Sequence, residues 1–212
     1  AIYQRAITLH LADKKHCTWQ IRTTKNEQVF MRIITGEFKG RHFDVPRSFK
    51  ARPTTDFAKE NIFNVMNGYI DFDGIEALDL FAGTGSISLE LLSRGCQAVT
   101  SIEADRDHAA FIRQCVAKLG VTNHNLIRGD VFRFLKSCRR QFDFIFADPP
   151  YALPQLDTIP SLILENNLLK PDGVLVFEHG KQNDFSTLPQ FVEHRAYGSV
   201  NFSIFRPTPT QP

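Results

Sequence analysis

From Ile75 onward, short apolar runs alternate with longer stretches of helical periodicity. The runs Ile75 to Phe81, Ala98 to Ile102, Asn125 to Ile127, Phe142 to Ala147 and Gly173 to Phe177 predict strands. Between them, Ser86 to Ser93, Asp107 to Leu119, Val131 to Ser137 and about Ile159 to Asn166 predict helices, the first ended near Gly95 and the second stopped at Gly120. This alternation predicts an α/β chain with a mainly parallel, doubly wound sheet. The end departs from it. Phe191 to Ala196 and Val200 to Arg206, joined across Tyr197-Gly198-Ser199, predict an antiparallel hairpin at the sheet edge.

The region before Ile75 is patterned differently. Arg32 to Pro46 reads as a hairpin: Ile33 and Ile34 form one side, Gly36 to Gly40 the turn, and Arg41 to Val45 the return strand, stopped by Pro46. Thr54-Thr55-Asp56 signals a helix start, Phe57, Ile62, Val65 and Met66 its apolar face, and Gly68 its C′ position. Residues 1–30 carry no motif, and Met31 marks the passage into patterned sequence, so they read as an extension of unknown role. The expected organisation is this extension, a hairpin-and-helix unit over 31–70, and a larger α/β unit over 71–212.

Charge adds one point. The formal net charge is +2, but Arg32 to Arg52 holds six basic residues against two acids, which leaves about −2 for the rest. A basic N-terminal segment on a near-neutral body suggests contact with phosphates. Cys17, Cys96, Cys115 and Cys138 form no CxxC pair and have no histidine at zinc-ligand spacing, so free thiols and no metal are expected. No apolar run approaches the roughly 18 residues of a membrane span, and no signal peptide is visible, so a cytoplasmic protein is expected. With no dimer seam in view, a monomer is the default.

Two stretches carry chemistry. In Leu78 to Leu92 a strand ends, a loop holds Gly83-Thr84-Gly85, and a helix opens. Glycines there let the backbone approach a ligand, which indicates a nucleotide-type cofactor. A dinucleotide fingerprint places a third small residue where this chain has Ser88, and Asp79 is poorly placed beside pyrophosphate. An acid suits a cation, and S-adenosylmethionine carries a sulfonium and an amino group without phosphate. Glu103 closes the second strand, where a carboxylate accepts ribose hydroxyls; Asp130 ends the third, where it can meet an adenine amino group. Both could instead cap the helices that follow.

The second stretch is Phe142 to Pro154. An apolar strand runs into Asp148-Pro149-Pro150-Tyr151 at the edge where open α/β sheets bind ligands. The prolines fix the local carbonyls. Asp148 and the Pro149 carbonyl can accept the two N–H bonds of an exocyclic amine whose base stacks on Tyr151, aiming the nitrogen at a methyl donor.

These residues resemble a known group. "DLFAGTG" followed by "DPPY" is similar to the S-adenosylmethionine-dependent amino methyltransferases. More narrowly, "RIITGEFKGR", "RPTTDFAKENIFNVM", "ALDLFAGTGSISLELLSRG", "SIEAD" and "FADPPY", in that order from about Met31 to Arg206, resemble the RsmD family of bacterial ribosomal RNA guanine-N2 methyltransferases. The resemblance implies a Rossmann-like class I methyltransferase fold with a seven-stranded sheet, and an N-terminal hairpin and helix that help hold RNA. By position it implies Asp79, Phe81, Ala82, Gly83, Thr84, Gly85, Glu103, Asp130 and Val131 as cofactor-binding, and Asp148, Pro149, Pro150 and Tyr151 as catalytic. Arg32, Lys39, Arg41, Lys50, Arg52 and Thr54 are the expected RNA contacts, and the partner is 16S ribosomal RNA, within a small-subunit assembly intermediate. Lys59 stands where the family often has arginine. The alternatives are a DNA adenine-N6 methyltransferase, disfavoured by the lack of a target-recognition domain, a nicotinamide-dependent oxidoreductase, and a non-catalytic nucleic-acid-binding module.

Overall fold

The computed structural model describes residues 29–49 and 56–207. The helices, which carry an apolar stripe, and the strands, which alternate, pack into three layers around one sheet. The elements are β1 (Phe30–Arg32), β2 (His42–Asp44), α1 (Asp56–Met66), β3 (Glu76–Leu80), α2 (Ser86–Ser93), β4 (Ala98–Glu103), α3 (Arg106–Leu119), β5 (His124–Arg128), α4 (Val131–Ser137), β6 (Phe142–Ala147), a 3₁₀ turn (Leu156–Thr158), α5 (Ile159–Glu165), β7 (Leu169–His179), β8 (Phe191–Tyr197) and β9 (Val200–Phe205). The large sheet has seven strands in the order β5-β4-β3-β6-β7-β9-β8. β3 to β7 pair in parallel, and β9 pairs antiparallel to both β7 and β8. This is the expected parallel sheet with an antiparallel C-terminal hairpin at its edge. Strand order reverses between β3 and β6, which makes their carboxyl ends the natural ligand edge.

The period-2 alternation sorts side chains between the faces. Phe144, Phe146, Val174, Val176, Phe202 and Ile204 face a core shared with α1, α2, α3 and the small hairpin. Ile145, Ala147, Leu175, Phe177 and Phe205 face a second core completed by α4 and α5. Met31, Ile33, Phe43 and Val45 lie in the first core, so the β1–β2 hairpin packs on the same interior as the sheet.

Three boundaries differ from those read in sequence. β1 runs Phe30–Arg32 instead of through Ile33 and Ile34, because the N–H groups of Ile34 and Thr35 turn to the Glu90 carboxylate at 2.8 and 3.0 Å. β7 begins at Leu169, not Gly173: Leu169 pairs with Phe142 and an irregularity absorbs Pro171 and Gly173. Gly68 lacks the left-handed backbone of a C′ glycine; its N–H bonds to the Val65 carbonyl at 3.0 Å in an ordinary turn.

Helix α2 is buried along its whole length. Its Glu90, at 0% exposure, lies between the sheet and the hairpin. Besides the two hairpin N–H groups, it takes hydrogen bonds from Arg94 Nε at 3.0 Å and an ion pair with Arg94 Nη2 at 3.0 Å. Lys59 Nζ of α1 lies 3.8 Å from the same carboxylate and donates to the Arg32 carbonyl and to Ser86 Oγ. Lys59 is therefore an interior strut and not a nucleic-acid contact. Burial pulls its pKa down, partly offset by Glu90. Gly36 closes the seam with φ +85°, and a Cβ there would lie 1.8 Å from the Ser93 carbonyl oxygen. Glu90→Ala leaves the Arg94 guanidinium and two N–H groups without their acceptor in the interior, so chemical denaturation should register a loss of about 3–5 kcal/mol. A loss below about 1 kcal/mol would show that the carboxylate is not the anchor.

Candidate active site

β3 delivers Asp79 to the sheet's carboxyl edge, and the chain then turns sharply. Phe81 holds φ +62°, a strained backbone for an aromatic residue, and Gly85 holds φ +78°. A Cβ on Gly85 would come within 2.9 Å of Ile112 Cγ1, so only glycine lets the loop lie this close to α3. The loop is tied to its neighbours. Ala82 N–H donates to the Ile102 carbonyl at 3.0 Å, and Gly83 N–H donates to Glu103 Oε2 at 2.6 Å. Glu103 Oε1 accepts from Asp105 N–H at 2.7 Å, so Glu103 braces the glycine loop while Asp105 caps α3. Asp130 caps α4, accepting from Arg133 N–H at 2.8 Å. The capping role weighed for these acids thus holds for Asp130, which also faces the cavity, and not for Glu103.

Together the strand ends enclose a cavity of about 780 Å³. It is lined by all nine expected cofactor residues except Gly85, the N-cap of α2, and by Asp148, Pro149, Pro150 and Tyr151. Its remaining lining includes Ser86, Phe49, His108 and Glu178. The acidic lining side chains are Asp79, Glu103, Asp105, Asp107, Asp130, Asp148 and Glu178, with no lysine or arginine among the described residues. Such a donor set fits a ligand that brings a cation, hydroxyls and amino groups. It does not fit a pyrophosphate.

Asp79 is buried and accepts from Ser88 Oγ, which lies 2.6 Å from Ser101 Oγ, itself 2.7 Å from His124 Nε2. Burial pushes the Asp79 carboxyl up to about 7 against those hydrogen bonds. Asp148, directly after β6, is half-buried and lines the cavity, with its N–H 3.4 Å from the Leu80 carbonyl. Burial, then the charges of Glu178 and Asp79, raise its pKa well above the carboxylate range. Tyr151 is 42% exposed at the cavity mouth, and its hydroxyl donates to Glu178 Oε1 at 2.9 Å, which fixes the ring. Burial and Glu178 raise the phenol's pKa.

Arg32, Lys39 and Arg41 are exposed on the small hairpin and its turn; Arg32 Nε pairs with Asp56 Oδ2 at 2.9 Å. Lys50, Arg52 and Thr54 lie outside the described residues. The sequence reading missed Glu178. Its signal is an acid directly after the apolar run of β7, the same arrangement that marks Asp148 after β6.

Comparison with known proteins places these features in context. A family model described as conserved hypothetical protein 95 matches residues 31–206. The chain is 33% identical to "Ribosomal RNA small subunit methyltransferase D" of Haemophilus influenzae, over 86% of this chain and 97% of that one. It is 32% identical to the protein of the same name from Escherichia coli K12, over 83% and 89%. The solved structure of yhhF from Escherichia coli, described as a candidate methyltransferase, superposes with a TM-score of 0.75 at 26% identity, over 85% of this chain and 99% of that one.

The Asp79 shift has a thermodynamic signature. The folded chain holds the Asp79 proton up to about 7, whereas an unfolded aspartate releases it near 3.8. The unfolded state therefore binds fewer protons in that window, and stability falls as pH rises through it. Asp79→Asn should flatten the decline in unfolding free energy between pH 4 and 7, by up to the roughly 1.4 kcal/mol per pH unit that one proton carries. Parallel wild-type and variant profiles would contradict the burial argument.

Proposed function

The chain belongs to the conserved hypothetical protein 95 family, the RsmD family, and from that premise we propose that it methylates the exocyclic N2 of a guanine in small-subunit ribosomal RNA. Its fold is that of the class I methyltransferases. The observation that carries the reading is a cavity at the topological switch point, lined by acids with no lysine or arginine among the described residues, whose mouth is Asp148-Pro149-Pro150-Tyr151. The family relatives named as ribosomal RNA small subunit methyltransferases support the substrate class.

Bound S-adenosylmethionine supplies an electrophilic methyl carbon on a sulfonium. On this reading Asp79 and the loop from Phe81 to Gly85 hold its cationic amino-acid end, Glu103 accepts from ribose hydroxyls, and Asp130 with Val131 lies against the adenine. Tyr151, fixed through its hydroxyl, stacks on the target base. Asp148 and the Pro149 carbonyl accept the two N–H bonds of the amine, which turns the nitrogen lone pair toward the methyl carbon. The cofactor would give its methyl to that nitrogen, with the C–S electron pair returning to sulfur, and the methylated amine would shed one proton. Asp148, with its raised pKa, is suited to take that proton once it enters the cycle ionised. The exposed basic positions Arg32, Lys39 and Arg41, joined by Lys50, Arg52 and Thr54, hold RNA phosphates. Residues 31–70 serve as the RNA-holding extension, 71–212 as the catalytic domain. The RNA is met in an assembly intermediate by a monomer in the cytoplasm; among the described residues no helix is long and apolar enough to cross a membrane.

A nicotinamide dinucleotide would bring its pyrophosphate against this acidic lining. S-adenosylhomocysteine should therefore raise the melting temperature and NAD should leave it unchanged; the reverse would favour an oxidoreductase. Asp148→Ala should lower methyl transfer by about 10²-fold or more while keeping the S-adenosylhomocysteine shift. Loss of that shift would instead place Asp148 in cofactor binding. Charge reversal at Lys39 and Arg41 should weaken RNA binding and flatten its salt dependence, by about one unit of log–log slope per lost phosphate contact. An unchanged slope would remove the hairpin from the RNA interface.

A further inference from the structure

Ala147 and Phe177 are register partners on the neighbouring parallel strands β6 and β7. The next residue on each strand, Asp148 and Glu178, therefore leaves the same sheet edge side by side, and both line the cavity. Glu178 is only 6% exposed. Its Oε1 accepts from the Tyr151 hydroxyl at 2.9 Å, whereas its Oε2 is enclosed and has no hydrogen-bond partner among the described residues. A buried carboxylate oxygen without a donor is costly, so a native fold that keeps one in a ligand cavity leaves room for a donor from the ligand. Burial pushes the Glu178 carboxyl up to about 7, and its charge helps raise Asp148. Two donors from one base would satisfy both carboxylates at once.

Base chemistry says which base that is. Above about pH 7 the Glu178 carboxyl is ionised, and an ionised carboxylate only accepts hydrogen bonds. Adenine and cytosine carry a ring-nitrogen acceptor beside their exocyclic amine. Guanine carries a ring N–H there, so its N1 and N2 both donate. We propose that Glu178 selects the base: its free Oε2 accepts the guanine N1–H while Asp148 accepts from the adjacent N2 amine. This rests on the reading of the site as a guanine-N2 methyltransferase and adds the residue that distinguishes guanine from the adenine of the alternative reading. An adenine in the same pose would set its N1 lone pair against the Oε2 lone pairs. Through its other oxygen, Glu178 also aims the Tyr151 ring on which that base stacks.

Glu178→Gln separates these two duties. The amide oxygen can keep the Tyr151 hydroxyl, while the amide N–H₂ turns the free acceptor into a donor. The substrates are small-subunit particles reconstituted with RNA that carries either guanine or 2-aminopurine at the mapped methylation position. 2-Aminopurine keeps the N2 amine but presents N1 as an acceptor. Wild type should favour guanine by about 10²-fold or more in kcat/KM, since a site built to accept an N–H rejects an analogue that lacks it. Glu178→Gln should shrink that ratio at least tenfold, about the effect of losing one matched hydrogen bond and gaining its opposite. The variant's fold is checked by retention of the S-adenosylhomocysteine thermal shift. Glu178→Ala is the second variant, which should lose discrimination with no gain on 2-aminopurine. An unchanged ratio in both variants, even with both rates lowered, would overturn the proposal and leave Glu178 as a support for Tyr151. Absence of N2 transfer by wild type would instead overturn the reading beneath it.

Discussion

A carboxylate with no access to solvent anchors this molecule. Glu90 lies in the middle of α2, and its charge is met by two backbone N–H groups of the N-terminal hairpin, by Arg94 and by nearby Lys59. None of these partners is dispensable without leaving a buried polar group unmatched. Helix α2, the hairpin and α1 thus share one charge cluster, and α2 begins directly after the loop Gly83-Thr84-Gly85. Lys59 also donates to Ser86, a residue that lines the cavity. The surface proposed to hold RNA and the loop proposed to hold the cofactor are thus referenced to each other through one buried charge cluster. An extension that merely tethered RNA would not need that precision of seating.

Much of the architecture was legible because it is periodic. Alternation in Phe142 to Ala147 and helical spacing in Asp107 to Leu119 are local signals, and strand–helix alternation points to a mainly parallel sheet. Where the reading failed, a contact distant in sequence decided. Pro171 and Gly173 look like punctuation, yet pairing of Leu169 with Phe142 carries β7 through them. Ile33 and Ile34 look like a strand, yet Glu90, 56 residues beyond Ile34, draws the backbone away. The site shows the same division. Asp79, Glu103, Asp130 and Asp148 could be picked out because each stands at or just past the carboxyl end of a strand, two of them beside motifs. Glu178 follows the same rule with no motif beside it, and its meaning appears only when β6 and β7 lie next to each other. Glu90 reads as an ordinary helical surface acid; nothing local says that it is buried.

The electrostatic layout divides the work. Basic side chains stand on the exposed hairpin, while the cavity within is lined by acids, several kept above the ordinary carboxylate range by burial. An outer cationic surface suits phosphates, and an inner acidic one suits a sulfonium, an ammonium and the donor edge of a base. The small net charge of the chain hides this separation.

The central claim is that this cavity transfers a methyl group to guanine N2 of small-subunit RNA. The most direct measurement offers radiolabelled S-adenosylmethionine with unmodified small ribosomal subunits and, in parallel, duplex DNA, and identifies the labelled nucleoside after digestion. The account predicts label in N2-methylguanosine from the ribosomal sample and none from DNA. Label in N6-methyladenine from DNA would contradict it.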